Sequence, residues 1–420
     1  MSTFMSQTIV NGALVVDTFF FLGGFLTCYL FTILVIQKKH PFSIPLYLLH
    51  RLWRIFPGYA FIIMITMLIP LVGSGPIFKE SVRNIVLPCH YLWWLNLLFV
   101  NNFSDIMCLP HTWYIACDVQ LHVAAIMVLL PLKRWPKIGV SACGAFILAS
   151  VIYTGTITYL KDLPPTMLMT IYDLEELVYY WRYIYSKPFA HAAPYLIGIL
   201  TGYMLSVKAE IKIPRKMQVI GWCLAITFSL TALYGTTEWN KGSPSMVVEK
   251  IAYASFHRVA WTTGIAWMVI SCITGSGGIV NYILSWKVWM PLGRLSFLVY
   301  LIHPLVQQSF IAVAKSTEVF SHYNMINEFF AHLCISYLLA FLCAMFVEYP
   351  IVALEKIIFS ERLKKLENAP LNENTVFSNN AKDIFNNQIF TITGSKLAET
   401  KLQNAVIVKS FTATEQMWKN

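Results

Sequence analysis

The feature that most constrains this chain is a series of continuously apolar runs, each about as long as a bilayer is thick. They fall near residues 9–36, 55–72, 112–132, 138–160, 190–207, 217–236, 252–273, 290–314 and 327–350. A helix needs about 20 apolar residues to cross the hydrocarbon core. Barrel strands would alternate apolar and polar residues over about ten positions, and these runs do not alternate. In lipid every backbone polar group must be satisfied within the protein, so the spans are read as helices. The expected fold is all-α and polytopic, with about nine transmembrane helices within residues 1–359.

Composition agrees. Hydrophobic residues make up 57% of the 420 and charged residues 12%, against about 25% charged in soluble domains. In water such a chain would expose large apolar patches and aggregate. The net charge of +10 would suit nucleic acid in a soluble protein. Here the basic residues sit in short connections, where they orient the chain and touch lipid headgroups, so membrane lipids are the expected partner and nucleic acid is not.

The charges sort by side. Lys38, Lys39, Arg51 and Arg54, then Lys133, Arg134 and Lys137, then Lys208, Lys212, Arg215 and Lys216 fall on one face. The positive-inside rule makes that face cytosolic. Nine spans then put the N-terminus outside and the C-terminus inside, in a plasma or endoplasmic reticulum membrane. The opening MSTFMSQTIVNGALVVD lacks a basic region and a small-residue cleavage site, so no cleavable signal peptide is read. Residues 88–103 are aromatic and short, which suits an interfacial or re-entrant segment. Residues 161–189, with Asp162, Asp173, Glu175 and Glu176, read as a structured acidic loop. From 360 to 420 a charged opening, ERLKKLE, gives way to polar sequence, read as a frayed amphipathic helix followed by a disordered cytosolic tail.

Of nine cysteines, Cys28, Cys143, Cys223, Cys272, Cys334 and Cys343 lie in apolar runs and read as small core residues. Cys89 and Cys108 share one connection and form a candidate disulfide if it faces an oxidising compartment. No cysteine spacing suggests a metal site.

Ionisable groups inside spans are expensive and tend to be functional. Asp17 lies in the first run beside two glycines, where a helix–helix hydrogen bond is the plainer role. Arg51 and Arg54 are three apart, so both can point the same way. Two guanidinium groups suit a phosphate-rich ligand, but from spacing alone simple positive-inside anchoring is the favoured reading. His111, Tyr114, Asp118 and His122 follow one helical face and are candidates for proton transfer or for an interhelical polar network. The ends of that stripe are too far apart to hold one metal ion. A second stripe joins Ser296, Tyr300, His303 and Gln307, with Pro304 beside the histidine to kink the helix. Arg258 and Arg294, near opposite ends of their runs, can snorkel to the interfaces. Gly275, Gly277 and Gly278 follow no strand, so they read as a tight turn rather than a nucleotide fingerprint.

Four ordered stretches carry a resemblance: VDTFFFLGGFL, HRLWRIFPGY, CLPHTWYIACDVQ, and GSGGIVNYILSWKVWMPLGRLSFLVYLIHP. Together, over roughly residues 10–355, they resemble the acyltransferase 3 family, in the branch named after the nose resistant to fluoxetine proteins. The resemblance implies a membrane O-acyltransferase that takes an acyl group, in many members from cytosolic acyl-CoA, to an acceptor such as a lipid or glycan. It implies acyl-CoA as co-substrate and no resident cofactor. It places donor binding on Arg51 and Arg54, and the candidate catalytic groups are His111, Asp118 and His303. Two departures stand out. The family's first helix carries an arginine and then a histidine, its best candidate base, ahead of the D-x-F-F segment. Here the residues before Asp17 contain neither, and the branch's cysteine-rich extracellular region is absent too. This implies a partial chain or a noncatalytic member. His191 also stands where the branch usually has arginine. The polar stripes alone would equally suit a transporter or a lipid-handling protein without enzymatic activity.

Overall fold

The computed structural model describes residues 7–37, 42–71, 76–168, 174–207, 212–313 and 321–354. The expected tail over 360–420 lies outside the described residues, as do Lys38, Lys39, Asp173 and Lys208. Among the described residues there are helices and no strand. In chain order they are α1 (Gln7–Val10), α2 (Val15–Phe31), α3 (Ile44–Leu68), α4 (Pro76–Leu97), α5 (Trp113–Ala124), α6 (Ile126–Arg134) and α7 (Pro136–Leu160). There follow α8 (Leu174–Tyr180), α9 (Pro188–Val207), α10 (Arg215–Tyr234), α11 (Val247–Ile273), α12 (Gly278–Leu284), α13 (Trp289–Val313) and α14 (His322–Cys343).

Eight described helical segments are long and apolar enough to cross a bilayer, and the α11–α12 pair, bent by 88°, makes a ninth. Their outward faces are apolar: Met217, Val219, Ile220, Leu224 and Ile226 on α10 are all exposed. The protein is an integral membrane protein. The bend after α11 is where the glycine turn was expected. Gly275 and Gly278 both take positive φ, 82° and 50°, a backbone state that a Cβ disfavours.

Residues 88–97 form the second half of the 22-residue helix α4, which begins at Pro76, and α4 is not among the segments long and apolar enough to cross a bilayer. Lys79, Glu80 and Arg83 in its first half kept that half from reading as apolar.

The chain forms two compact units. The first comprises residues 1–49, 99–105 and 113–280. At its centre α2 and α9 approach backbone to backbone. A Cβ on Gly24 would strike the Tyr195 carbonyl, one on Gly198 the Phe21 carbonyl, and one on Gly202 would lie 2.5 Å from the Phe25 oxygen. Small residues are what let membrane helices pack this closely. Around this seam Phe20, Trp113, Leu129, Tyr180, Ile184, Tyr195 and Ile199 form a continuous core.

Polar bonds mark one face of this unit. Asn11 donates to the Leu233 carbonyl (2.5 Å) and the Thr236 hydroxyl (2.6 Å). Asn240 donates to Gln7 (2.9 Å), and Lys250 pairs with Asp162 at 2.7 Å. The opposite face is marked by Gln37, which donates to the Ser206 carbonyl at 2.6 Å. Helix alternation assigns Lys133, Arg134, Lys137, Arg215 and Lys216 to that second face.

The second unit comprises residues 50–98 and 106–112 and, of those from 281 onward, the described ones to 354. Phe78, Val82 and Val86 of α4 pack against Ala312 of α13. α3 meets α13 at Gly58, where a methyl group would come within 3.2 Å of Leu298. Ser336, Ala340 and Ala344 form a buried small-residue stripe on α14 and its continuation.

Candidate functional site

In the second unit three rings gather. The ring centres of His111 and Tyr300 are 5.7 Å apart, those of His111 and His303 6.3 Å, and those of Tyr300 and His303 6.2 Å. The Tyr300 hydroxyl donates to the His111 carbonyl. His303 Nδ1 lies 3.1 Å from the Val299 carbonyl one turn back. A carbonyl only accepts, so Nδ1 carries the hydrogen and Nε2 is left as an acceptor. His111 Nε2 is buried with no hydrogen-bond partner. Two imidazoles beside a phenol can take and return a proton. Among the described residues no group of His, Cys, Asp or Glu is placed to hold a metal ion.

His111 differs from the expected stripe. It sits in the tight turn Pro110–Thr112 ahead of α5. Pro110 has no N–H to give a helix, and Leu109 before it takes a φ of 52°. The helical stripe therefore holds only Tyr114, Asp118 and His122, and Asp118 and His122 are buried in the first unit.

The 108–112 turn is held on one side by α4. Cys89 and Cys108 form a disulfide, which at a separation of 19 residues stabilises the fold by about 3 kcal/mol in the chain-entropy picture. Asn96, seven residues after Cys89, donates to the Cys108 carbonyl at 2.7 Å. Its amide nitrogen also lies 2.9 Å from the Tyr59 hydroxyl and 3.1 Å from the Thr112 hydroxyl.

Basic side chains occupy the early turns of two helices in the same unit. Arg51 and Arg54 lie in α3, and Arg54 is one turn before Gly58. Arg294 lies in α13, one turn before Leu298, the residue that Gly58 meets. Glu348 is within electrostatic reach of Arg54, and Tyr349 is within reach of Arg294. Three guanidinium groups outnumber one carboxylate there, so the cluster is a candidate anion site. Arg294 is half-buried, with its Nε buried and unpartnered. From Arg294 to His303 is nine residues along α13, or about 14 Å at 1.5 Å per residue.

The first unit holds a separate buried network. His191 Nδ1 lies 2.6 Å from Asp17 Oδ1, and His191 Nε2 lies 2.9 Å from the Tyr185 carbonyl. The carbonyl requires a hydrogen on Nε2, so one further hydrogen lies between Nδ1 and the carboxyl group. Arg258 Nε is 3.5 Å from Asp17 Oδ2, and Arg258 Nη2 donates to the Tyr180 hydroxyl at 3.1 Å. Arg258 is 4% exposed, so it does not snorkel to an interface as its position near a run's end suggested. Asp17 holds it inside. That guanidinium supplies a cation beside Asp17.

Two further clusters lie in the first unit, and of their residues only His122 carried a sequence signal. Asn102 and Gln120 exchange amide hydrogen bonds at 3.2 and 2.9 Å. Asn102 also donates to the Ser186 carbonyl at 3.1 Å, and Lys187 donates to the Asn102 carbonyl at 2.5 Å. Lys187 lies 4.6 Å above the Phe103 ring. Burial, aided by Arg182, holds its amine below the usual lysine value, although Cys117 and Asp105 pull the other way. The second cluster surrounds His122. Tyr47 stacks on its ring at 4.1 Å, and the hydroxyls of Tyr47, Tyr195 and Thr27 lie 3.1, 3.5 and 3.5 Å from its Nδ1. Asn96 did leave a trace, a lone asparagine inside the apolar stretch YLWWLNLLF.

Comparison with known proteins decides the family. The acyltransferase domain model of the acyltransferase 3 family matches residues 2–348. The chain belongs to the acyltransferase 3 family. It is 29% identical over 388 residues to nose resistant to fluoxetine protein 6 of Caenorhabditis elegans, covering 86% of this chain and 46% of that protein. It is 27% identical over 214 residues to regulator of hypoxia-inducible factor 1 of the same organism, covering 46% of this chain and 40% of that protein. The matches thus span less than half the length of either relative. No solved structure matches the chain. The family member is acyltransferase-like in its membrane domain, and its basic cluster and histidine centre fall within the matched region.

Proposed function

We propose that the chain transfers an acyl group from a cytosolic acyl-CoA to a hydroxyl on a lipid or glycan. The observation that carries this reading is the arrangement of α13. Its early turns bring Arg294 beside the helix that bears Arg51 and Arg54, and nine residues on it carries His303 beside His111. An anionic headgroup at the arginines would leave a long, flexible arm free to extend along α13 towards the histidines.

In the transfer, His111 takes the proton of the acceptor hydroxyl, with Tyr300 fixing its backbone and His303 beside its ring. The acceptor oxygen forms a bond to the thioester carbonyl carbon. The carbon–sulfur bond breaks, and the proton passes from the imidazole to the leaving thiolate. An imidazole nitrogen can accept the proton in the first step and return it in the second. The disulfide between Cys89 and Cys108 supports an oxidising compartment at that end of the second unit, and the basic second face of the first unit supports a cytosolic setting for that face. Both fit a plasma or endoplasmic reticulum membrane.

The test is acyl-CoA binding and turnover by the full chain in nanodiscs. R51A with R54A should weaken donor binding strongly. Unchanged donor binding in that double variant sinks the donor-site reading, and unchanged turnover in H111A sinks the assignment of the base.

A further inference from the structure

We propose that Asn96 is a positioning residue for His111, its carboxamide setting the turn from which the imidazole projects. This rests on the reading of His111 as the base. Helix α4 grips Cys108 twice, two turns apart: through the disulfide from Cys89 and through Asn96, whose Nδ2 lies 2.7 Å from the Cys108 carbonyl. The same nitrogen reaches the Thr112 hydroxyl at 3.1 Å. Asn96 therefore bridges both ends of the five-residue turn that contains His111.

The turn does not hold itself. Leu109 sits at φ 52°, a left-handed conformation that a leucine rarely adopts and that persists only where surroundings impose it. The Leu109 carbonyl is taken up by the Thr112 amide at 2.9 Å and hydroxyl at 2.7 Å, and Thr112 is in turn reached by Asn96. The disulfide tethers Cys108 but leaves the turn free to rotate about the bridge. The amide bonds remove that freedom.

A second observation argues against a mere space-filling role. Because Nδ2 must face the Cys108 carbonyl, Oδ1 faces away, and it is buried with no hydrogen-bond partner. An unpaired buried acceptor is costly, and an apolar side chain of similar size would avoid the cost. Asparagine is explained by its donors, which leucine lacks.

The experiment measures hydrogen–deuterium exchange at the imidazole C2 of each histidine, by mass spectrometry over a pH series, on the full chain in nanodiscs. N96D keeps the shape of the side chain and loses both donors. It should change the His111 exchange half-life several-fold and leave that of His257, buried in α11 of the first unit, unchanged. Where activity is present, kcat should fall and its pH profile should move, with the KM for acyl-CoA unchanged. An unaltered His111 exchange in folded N96D overturns the proposal, as does a lost kcat with an unmoved pH profile. If N96D does not fold, T112V removes one of the bridged groups and should shift His111 exchange in the same direction, and no shift there overturns the proposal. H111A that retains turnover sinks the base reading alone, because the exchange shift in N96D is independent of activity.

Discussion

His191 Nδ1 and Asp17 Oδ1 meet at 2.6 Å across 174 residues of sequence, and neither side chain is more than 2% exposed. Asp17 is the shared partner, because Arg258 reaches its other oxygen. D17A strips His191 and Arg258 of their shared partner and leaves a buried guanidinium without its carboxylate. Breaking a buried pair in this way costs about 3–5 kcal/mol. H191A leaves the Asp17–Arg258 contact in place and should cost less. Thermal unfolding in detergent should therefore rank wild type above H191A and H191A above D17A. The opposite order for the two variants would mean that Arg258 is not held by Asp17.

The α2–α9 seam makes a contrast between two glycines. At Gly198 an added methyl group collides with the Phe21 carbonyl, which is helix backbone and cannot swing away. G198A should therefore lose about 1–3 kcal/mol or more through overpacking. At Gly144, in the interior of α7, nothing lies within 4 Å of the same methyl group. G144A should be neutral or gain up to about 1 kcal/mol, the usual advantage of alanine over glycine inside a helix. Melting temperatures of the two purified variants check both signs at once.

Lys187 gives a pH dependence whose sign is fixed by the direction of its shift. Its folded value lies below the ordinary 10.5, chiefly through burial. The folded chain then releases this proton before the unfolded chain does. In the window below 10.5 the unfolded chain binds more protons, so the free energy of unfolding rises with pH there. Below the folded value the full cost of the buried charge is present. K187M abolishes this slope. The melting temperature of wild type minus that of K187M should grow as pH approaches 10.5, and a flat difference would show that the amine is not desolvated.

The legibility of the chain follows from chemistry. Spans are readable because lipid demands long apolar runs, and each of the nine runs near 9–36 through 327–350 has a helical counterpart. Partners across the fold are not. Asp17 and His191 carry no mark of each other in sequence, and Arg258 near the end of a run looks like an interfacial residue until its carboxylate is found. Asn102 looks like an ordinary polar residue of a connection, and Gln120 like a lone polar residue in an apolar run, because nothing in one strand of text says that they bond to each other. His111 misleads for a local reason: helical spacing continues through Pro110–Thr112 in the sequence, while the proline and the left-handed Leu109 tighten the backbone there.

The last prediction concerns that amide pair. Asn102 is fully buried and serves the Gln120 side chain and the Ser186 carbonyl, while its own carbonyl takes the Lys187 amine. Gln120 in addition donates to the Phe99 carbonyl at 2.7 Å. Substituting leucine for Asn102 alone takes from Gln120 Oε1 its Asn102 donor and leaves the Ser186 carbonyl with the Cys117 thiol at 3.2 Å, at about 1–3 kcal/mol for a buried group left unpaired. Substituting leucine for Gln120 alone takes from Asn102 Oδ1 its Gln120 donor. The double variant removes both halves of the exchanged pair, so neither amide is stranded by the loss of the other. Its destabilisation should fall short of the sum of the single ones by about 0.5–3 kcal/mol. Denaturant unfolding of wild type, N102L, Q120L and N102L/Q120L closes the cycle. Strict additivity would mean that the two amides do not bond to each other, and that residues 99–105 are fastened to the first unit through Lys187 and Ser186 instead.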